Sequence, residues 1–479
     1  MSQPSATSVQ QPTPLPSKDK IPWVKVGGAI GAILTFIIIR SLSFAGLSSE
    51  AQGVLAILLA SVILWVTQPI PIAYTCLIMI VLPWVLGYIT PAVSFSGFSG
   101  TTFWLVFAVL GMGSCVGSSI FSKRLSLLIL SMIGKPTFKR VLLASMVTMF
   151  VLGYFIPSTT AKVAILIALI LPIVVLFGVQ TKSNIGMILA IALSQIASAT
   201  QILTPTANPL TAMIYGILNG GGVNVSFGRW TVIALIPVIL TFVGYYFFMS
   251  WYAKPEATEA IGGREKILAD LKALPAMSIK EIWVMVVTLG IMVGFLAGLN
   301  TTMVAIVGVL LYVLPGIGAM SFSDFMAKGV HWETLIMVGS LLAISPMLSE
   351  VGLTDVVTQV LSIPFSFATN PFLFVMAMAL LSIMIYAFIL IMPTIPLVVP
   401  IIMNAAPLAG VSPILGGMML LAFVPQFMFW CVAPMFGIAM KDEIGNVKDW
   451  VITGVAFFLI SVVVWVIYVY LAPAIGLIP

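Results

Sequence analysis

Formal charge is almost missing from this chain. Asp, Glu, Lys and Arg make up 7% of its 479 residues, while 61% are hydrophobic. Soluble domains carry about 25% charged residues, so a soluble globular fold is excluded. Histidine occurs once, at His331, and cysteine three times, at Cys76, Cys115 and Cys431, each within an apolar segment. So few cysteines, so placed, give no disulfide framework. No acidic metal-binding motif, Gly-x-Ser-x-Gly or intramembrane histidine supplies the convergent groups of a membrane-embedded enzyme. The chain therefore reads as a non-enzyme, with no cofactor and no resident metal. Basic or aromatic-rich soluble segments are absent too, which excludes nucleic acid; the net charge of +6 comes from loop lysines. No long polar block exists, so there is one membrane unit and no receptor head.

What remains is apolar runs. A helix crossing a hydrocarbon core of roughly 30 Å needs about 20 such residues. That rule places spans near 22–42, 51–68, 70–89, 101–120, 184–217, 229–253, 282–298, 301–318, 332–349, 412–440 and 450–474. The expected fold is an all-α polytopic membrane protein with about 11 transmembrane helices. Residues 1–20, rich in Ser, Pro and Gln, read as a disordered cytoplasmic tail. The apolar run that follows is longer than a signal peptide's, so cleavage is not expected.

Two segments, 141–178 and 371–405, fit no ordinary span. At 1.5 Å per residue the 38 residues of the first would make a helix of roughly 57 Å. Lys123, Arg124, Lys135, Lys139 and Arg140 precede it and Lys182 follows. Both ends therefore favour the cytoplasm. The segment must enter and return, as a re-entrant hairpin with its tip at Pro157–Ala161. Threading the chain on that choice puts seventeen of the twenty Lys and Arg inside; Arg40 and Arg229 fall outside and Lys162 at the tip. The N-terminus is then cytoplasmic and the C-terminus outside, in a cytoplasmic (inner) membrane.

A weak inverted repeat divides the chain. The run at Phe103 (FWLVFAVLGMG) resembles that at His331 (HWETLIMVGSL), and Trp104 to Pro205 is 101 residues against 102 from Trp332 to Pro434. The expected organisation is 1–20 as tail, 21–253 as first half with hairpin 141–178, and 254–280 as cytoplasmic linker. The second, inverted half is 281–479 with hairpin 371–405. Gly/Pro interruptions at matching positions point to the binding site of a secondary transporter.

Lys162 is the only charge between Arg140 and Lys182. A cation at that depth costs at least about 2.5 kcal/mol and is a functional-site hypothesis by default. Breaks at Pro157-Ser158-Thr159-Thr160 and Thr204-Pro205-Thr206-Ala207-Asn208 restart helices whose N-termini suit an anion. The expected substrate contacts are Ser158, Thr159, Thr160, Lys162, Thr204, Thr206, Asn208 and, from the second half, Thr394. The competing readings are a snorkelling amine for Lys162 and hydroxyls bonded back to their own helices. His331 and Glu333, at a span's edge, read as interfacial.

The run WLVFAVLGMG…FSKRLSLLILSMIGK…PSTTAK and the later WETLIMVGSLLAISPMLSEVGLTD resemble the divalent anion/sodium symporter family over roughly residues 50–475. The resemblance implies a scaffold and a transport domain, two opposed hairpins, elevator-type alternating access and a homodimer. It implies C4-dicarboxylates, 2-oxoglutarate, tartrate, citrate or sometimes sulfate as substrates, and sodium as a possible coupling ion. Ser158-Thr159-Thr160 matches the family's Ser-Asn-Thr tip with Thr for Asn. The Pro before it and the base after it look like the branch of 2-oxoglutarate/malate translocators and citrate/succinate and tartrate/succinate exchangers. A cation site at Ser158, Thr159 and Ala199 is implied as well. The second tip departs: Met392-Pro393-Thr394 keeps only Thr394, and Ala433-Pro434-Met435 lacks the Thr and Asn. Function is accordingly expected as exchange or sodium-linked uptake of organic anions. Strict sodium symport and a passive channel are the alternatives.

Overall fold

A computed structural model describes residues 23–478 apart from 43, 45, 133, 389, 390, 442 and 443. The expected tail at 1–20 lies outside the described residues. Among these, secondary structure is helical, save one isolated antiparallel bridge between Thr137 and Glu259. Among the described residues, nine helices are long and apolar enough to cross a membrane, or ten if the bent pair Thr101–Gly117 and Ile120–Ser131 counts as one span. The protein is an integral membrane protein.

The expected count of about 11 spans differs because several runs are shorter or broken than hydropathy implies. Thr301–Tyr312 stops at a turn through Gly316, whose φ of +89° only glycine adopts readily. Its 12 residues reach roughly 18 Å, short of a crossing. The run at 101–120 breaks after Gly117 and turns by 68° into a helix carrying Lys123 and Arg124. Arg124 Nε then meets buried Glu281 at 2.6 Å, which ties that helix to the start of Ile279–Leu296.

The first hairpin is two helices, Phe138–Phe155 and Thr159–Val175, parted at Ile156–Ser158. Pro157 explains the break: its ring pushes Ile156 out of the helical region, to ψ 103°. The arms return to one place. Ala260 N donates to Pro136 O at 3.0 Å, Phe138 N to Thr258 O at 3.2 Å and Ile261 N to Leu176 O at 2.8 Å. One strap, 258–261, thus holds both open ends. Just before it, Glu256 accepts from the N–H groups of Asn184 and, at 3.1 Å, Ile185, the start of the next helix. The linker continues as the helix Gly263–Lys272.

The second hairpin is Pro371–Phe388 and Ile391–Leu408, with 389 and 390 outside the described residues. A Cβ added to Gly410, just past its end, would lie 3.9 Å from Pro371 at its beginning. Its second arm carries Pro396, Pro400 and Pro407. Pro400 leaves the carbonyl of Pro396 without its helical donor, and Ser345 Oγ fills that place at 3.2 Å.

Burial separates centre from rim. In Asn184–Ile202, 94% of the span is buried, against 11% in Trp23–Ser41. The main core runs from the first hairpin through Asn184–Ala199 to Val447–Ala474. A smaller core sits where Ser49–Thr67 and Ile72–Val85 meet residues 341–353. The halves touch there backbone to backbone: a Cβ on Gly97 would stand 2.0 Å from Gly339 O. Small residues permit such close approach where no hydrophobic force drives packing.

Candidate substrate site

Two apolar segments are interrupted at the centre, where the sequence places breaks. Asn184–Ala199 passes through a 3-10 turn, Thr200–Ile202, into irregular backbone before Pro209–Gly220 begins. The restart follows from local chemistry. Asn208 Oδ1 caps the new helix by accepting from Leu210 N at 2.8 Å, and Pro209 stands at its first position. Pro413–Ala422 is followed by its own irregular segment and restarts at Ala433–Met440, with Pro434 in the first turn. Pro209 and Pro434 each stand in the first turn of a restarted helix, and Pro205, which the sequence repeat pairs with Pro434, lies inside the first break.

The hairpin tip docks on the first break. Asn208 Nδ2 donates to Thr159 Oγ1 at 3.3 Å. Ser158 caps the second arm through Ala161 N at 3.3 Å and also lies 3.3 Å from Thr160 Oγ1. Gly153, on the first arm, makes the approach possible, since a Cβ there would already sit 3.1 Å from Thr200 and Leu203.

Lys162 is fully buried, so the snorkelling reading does not hold. Its Nζ donates to Thr200 Oγ1 at 2.8 Å, and that hydroxyl donates to Ala197 O at 2.7 Å. The ammonium is thus relayed to the C-terminal, negative end of Asn184–Ala199. No described carboxylate pairs with it.

A cavity of 820 Å³ lies in front of the tip. Ser158, Thr159, Thr160 and Asn208 line it, so four of the expected contacts come together. The others do not reach its wall. Lys162 stands behind it. Thr204 and Thr206 are buried with their hydroxyls 3.5 Å apart, and Thr394 Oγ1 donates to Ile391 O at 2.7 Å within its own helix turn. Of the implied cation set, Ser158 and Thr159 line the cavity, while Ala199 borders a separate small void. No cluster of three or more His, Cys, Asp or Glu suited to a metal occurs among the described residues.

Sequence reasoning missed Ser114, Gln201, Thr334, Tyr386 and above all His331, all on the cavity wall. It also missed a buried amide network. Tyr245 OH donates to Gln195 Oε1, Gln195 Nε2 to Trp450 O at 2.9 Å, Trp450 Nε1 to Gln426 O at 2.6 Å, and Gln426 Nε2 to Ser198 Oγ. Two neutral glutamines inside apolar runs were the available signal. This network fastens the second break to the first broken helix.

Broken helices around a central cavity, with helix starts at its wall, are the arrangement that secondary transporters use at their binding sites. The chain belongs to the family described as the sodium:sulfate symporter transmembrane region, which it matches over residues 27–475. The resemblance to divalent anion/sodium symporters read from the sequence is thereby established. Relatives include a membrane protein of Cupriavidus necator, 28% identical over 65% of this chain and 64% of that one. The match therefore spans less than two thirds of that relative's length. A chloroplastic dicarboxylate transporter 1 of Arabidopsis thaliana is 25% identical over 74% of this chain and 65% of its own. The sodium-dependent dicarboxylate transporter SdcS of Staphylococcus saprophyticus is 24% identical over 94% of this chain and 92% of its own. Among solved structures, Neisseria gonorrhoeae MtrF aligns over 93% of this chain and 95% of its own with TM-score 0.50 at 14% identity, a likeness of fold alone.

Proposed function

We propose that the chain is a secondary active transporter of small organic di- and tricarboxylates, working by exchange or sodium-linked uptake across the inner membrane, with exchange favoured. C4-dicarboxylates, 2-oxoglutarate, citrate and tartrate are its substrate class. The observation that carries this reading is the cavity at the first tip. Three hydroxyl residues and the start of Thr159–Val175 line it, and the fixed charge of Lys162 lies just behind. A carboxylate docked on Ser158, Thr160 and Asn208 gains hydroxyl and amide donors, a helix N-terminus and a buried ammonium together. Because that ammonium is covalently fixed, it does the electrostatic work that a bound sodium ion otherwise does. Exchange then needs no ion to arrive. The reading includes an inverted repeat, elevator-type movement of the hairpins against the remaining helices, a homodimer, a cytoplasmic N-terminus and an outward C-terminus.

Counterflow of labelled malate in proteoliposomes tests it, with and without sodium. Saturable counterflow of similar rate in both conditions is expected; absolute sodium dependence overturns exchange. Strict sodium symport is the second reading, favoured by the side-chain Oε1 of Gln426, a buried acceptor with no hydrogen-bond partner among the described residues. Flux that neither saturates nor shows counterflow would make the chain a passive channel.

A further inference from the structure

Among the described residues, the cavity wall contains no Asp, Glu, Lys or Arg. A dianion held at the first tip therefore has one carboxylate near Lys162 and a second that finds no fixed charge. The second hairpin, which faces it with Tyr386, Ile391 and Met392, brings none. An unpaired charge removed from water is costly. One cavity residue can become cationic without being so permanently: His331, which is exposed and stands directly before the helix Trp332–Leu342. Its imidazole makes no hydrogen bond to another described residue, so both ring nitrogens are available to a ligand.

We propose that His331 is the specificity-determining contact for the second carboxylate, favouring doubly over singly charged substrates. This rests on the transporter reading above and assigns the part of the site that the second hairpin does not supply. An imidazole suits the task because its charge changes between about pH 5 and 8, so substrate and proton can enter and leave together. The ionisable groups around it are few. Glu333 follows in the same helix, and Asp324 and Lys328, 3.6 Å apart, precede it. Of the helices packed on Trp332–Leu342, Ile72–Val85 brings Tyr74 and Cys76, and Thr101–Gly117 brings Cys115. Ile344–Glu350 brings Glu350, which is held by Thr90, while Ser96–Ser99 and Ile391–Leu408 bring none. Tyr386 shares the cavity wall.

His331 is the only histidine in the chain, which makes the test direct. The full chain, purified with a histidine-free tag and labelled at histidine with ¹³C and ¹⁵N, gives one imidazole resonance in lipid nanodiscs. Saturating malate should raise the midpoint of its titration by about one pH unit, because a contacting carboxylate favours the imidazolium. Lactate should move it far less. In proteoliposomes, His331→Gln should raise the KM for malate about tenfold, the loss of one charge-assisted contact, with kcat nearly unchanged. His331→Lys should restore the KM and flatten its pH dependence. If malate binds with the resonance unmoved, or His331→Gln keeps the wild-type KM, this role for His331 is overturned while the transporter stands. If the wild type binds and exchanges no carboxylate at all, the transporter reading itself has failed, and this inference with it.

Discussion

The two hairpins are built alike, each of two helices with both ends brought together, yet their tips differ in chemistry. The first ends in Ser158, Thr159 and Thr160, capped, docked on Asn208 and open to the cavity. The second presents Ile391 and Met392, and Thr394 points its hydroxyl into its own backbone. Equal backbone geometry with unequal side chains shows which property is shared and which is local. The fold supplies two helical hairpins and two broken helices. The hydroxyl-bearing tip belongs to the first half, and the second half is held to it by neutral amides.

Substitutions at matched positions break or sharpen that contrast. The largest effect is expected at Lys162→Gln, where malate counterflow should fall about a hundredfold, the kinetic equivalent of roughly 3 kcal/mol. Addition of sodium to this variant is informative too: partial recovery of counterflow would mark the vacated space as an ion site. Next is Asn208→Ala, which removes the cap of Pro209–Gly220, worth about 1 kcal/mol, together with the tie to Thr159. Counterflow should drop roughly tenfold or more, and thermal unfolding of the detergent-purified protein should shift downwards. Ser158→Ala should raise the KM for malate about tenfold by deleting one hydrogen bond to a charged ligand. The smallest effect belongs to the matched change in the other hairpin: Thr394→Ala should alter KM by no more than about twofold. Equal losses for Ser158→Ala and Thr394→Ala would erase the asymmetry.

Much of the architecture was legible because charge and length constrain it separately. The bases flanking 141–178 and its excess length require a return, and Pro157 with three hydroxyl residues marks where. The interruption at Thr204–Asn208 was readable from two prolines around an asparagine. The rim of the cavity was not. In helices apolar all round, periodicity names no inner face, so nothing in the sequence aimed Ser114, Thr334 or Tyr386 inwards. His331 looked interfacial because it begins a span, and only the packing of that span beside the distant hairpin tip brings it to the wall. Lys162 was found as an anomaly, but its direction depended on Thr200, 38 residues away. The second break was marked in the sequence by Pro434 alone, and its extent was not. Apart from Pro425 and Pro434, the stretch from Ala422 to Met440 reads as one hydrophobic run, and what interrupts it is the partnership of Gln426 with Ser198 and Trp450.

The strap at 258–261 has a mechanical corollary. Because it is stitched to both open ends of the first hairpin, and Glu256 just before it clasps the start of Asn184–Ala199, these pieces have no joint between them. Under the proposed transport reading, a displacement of the tip would carry its anchorage and the central helix as a single passenger. Amide protons of Phe138, Ala260 and Ile261 would then open in concert with one another, as the knots of one net.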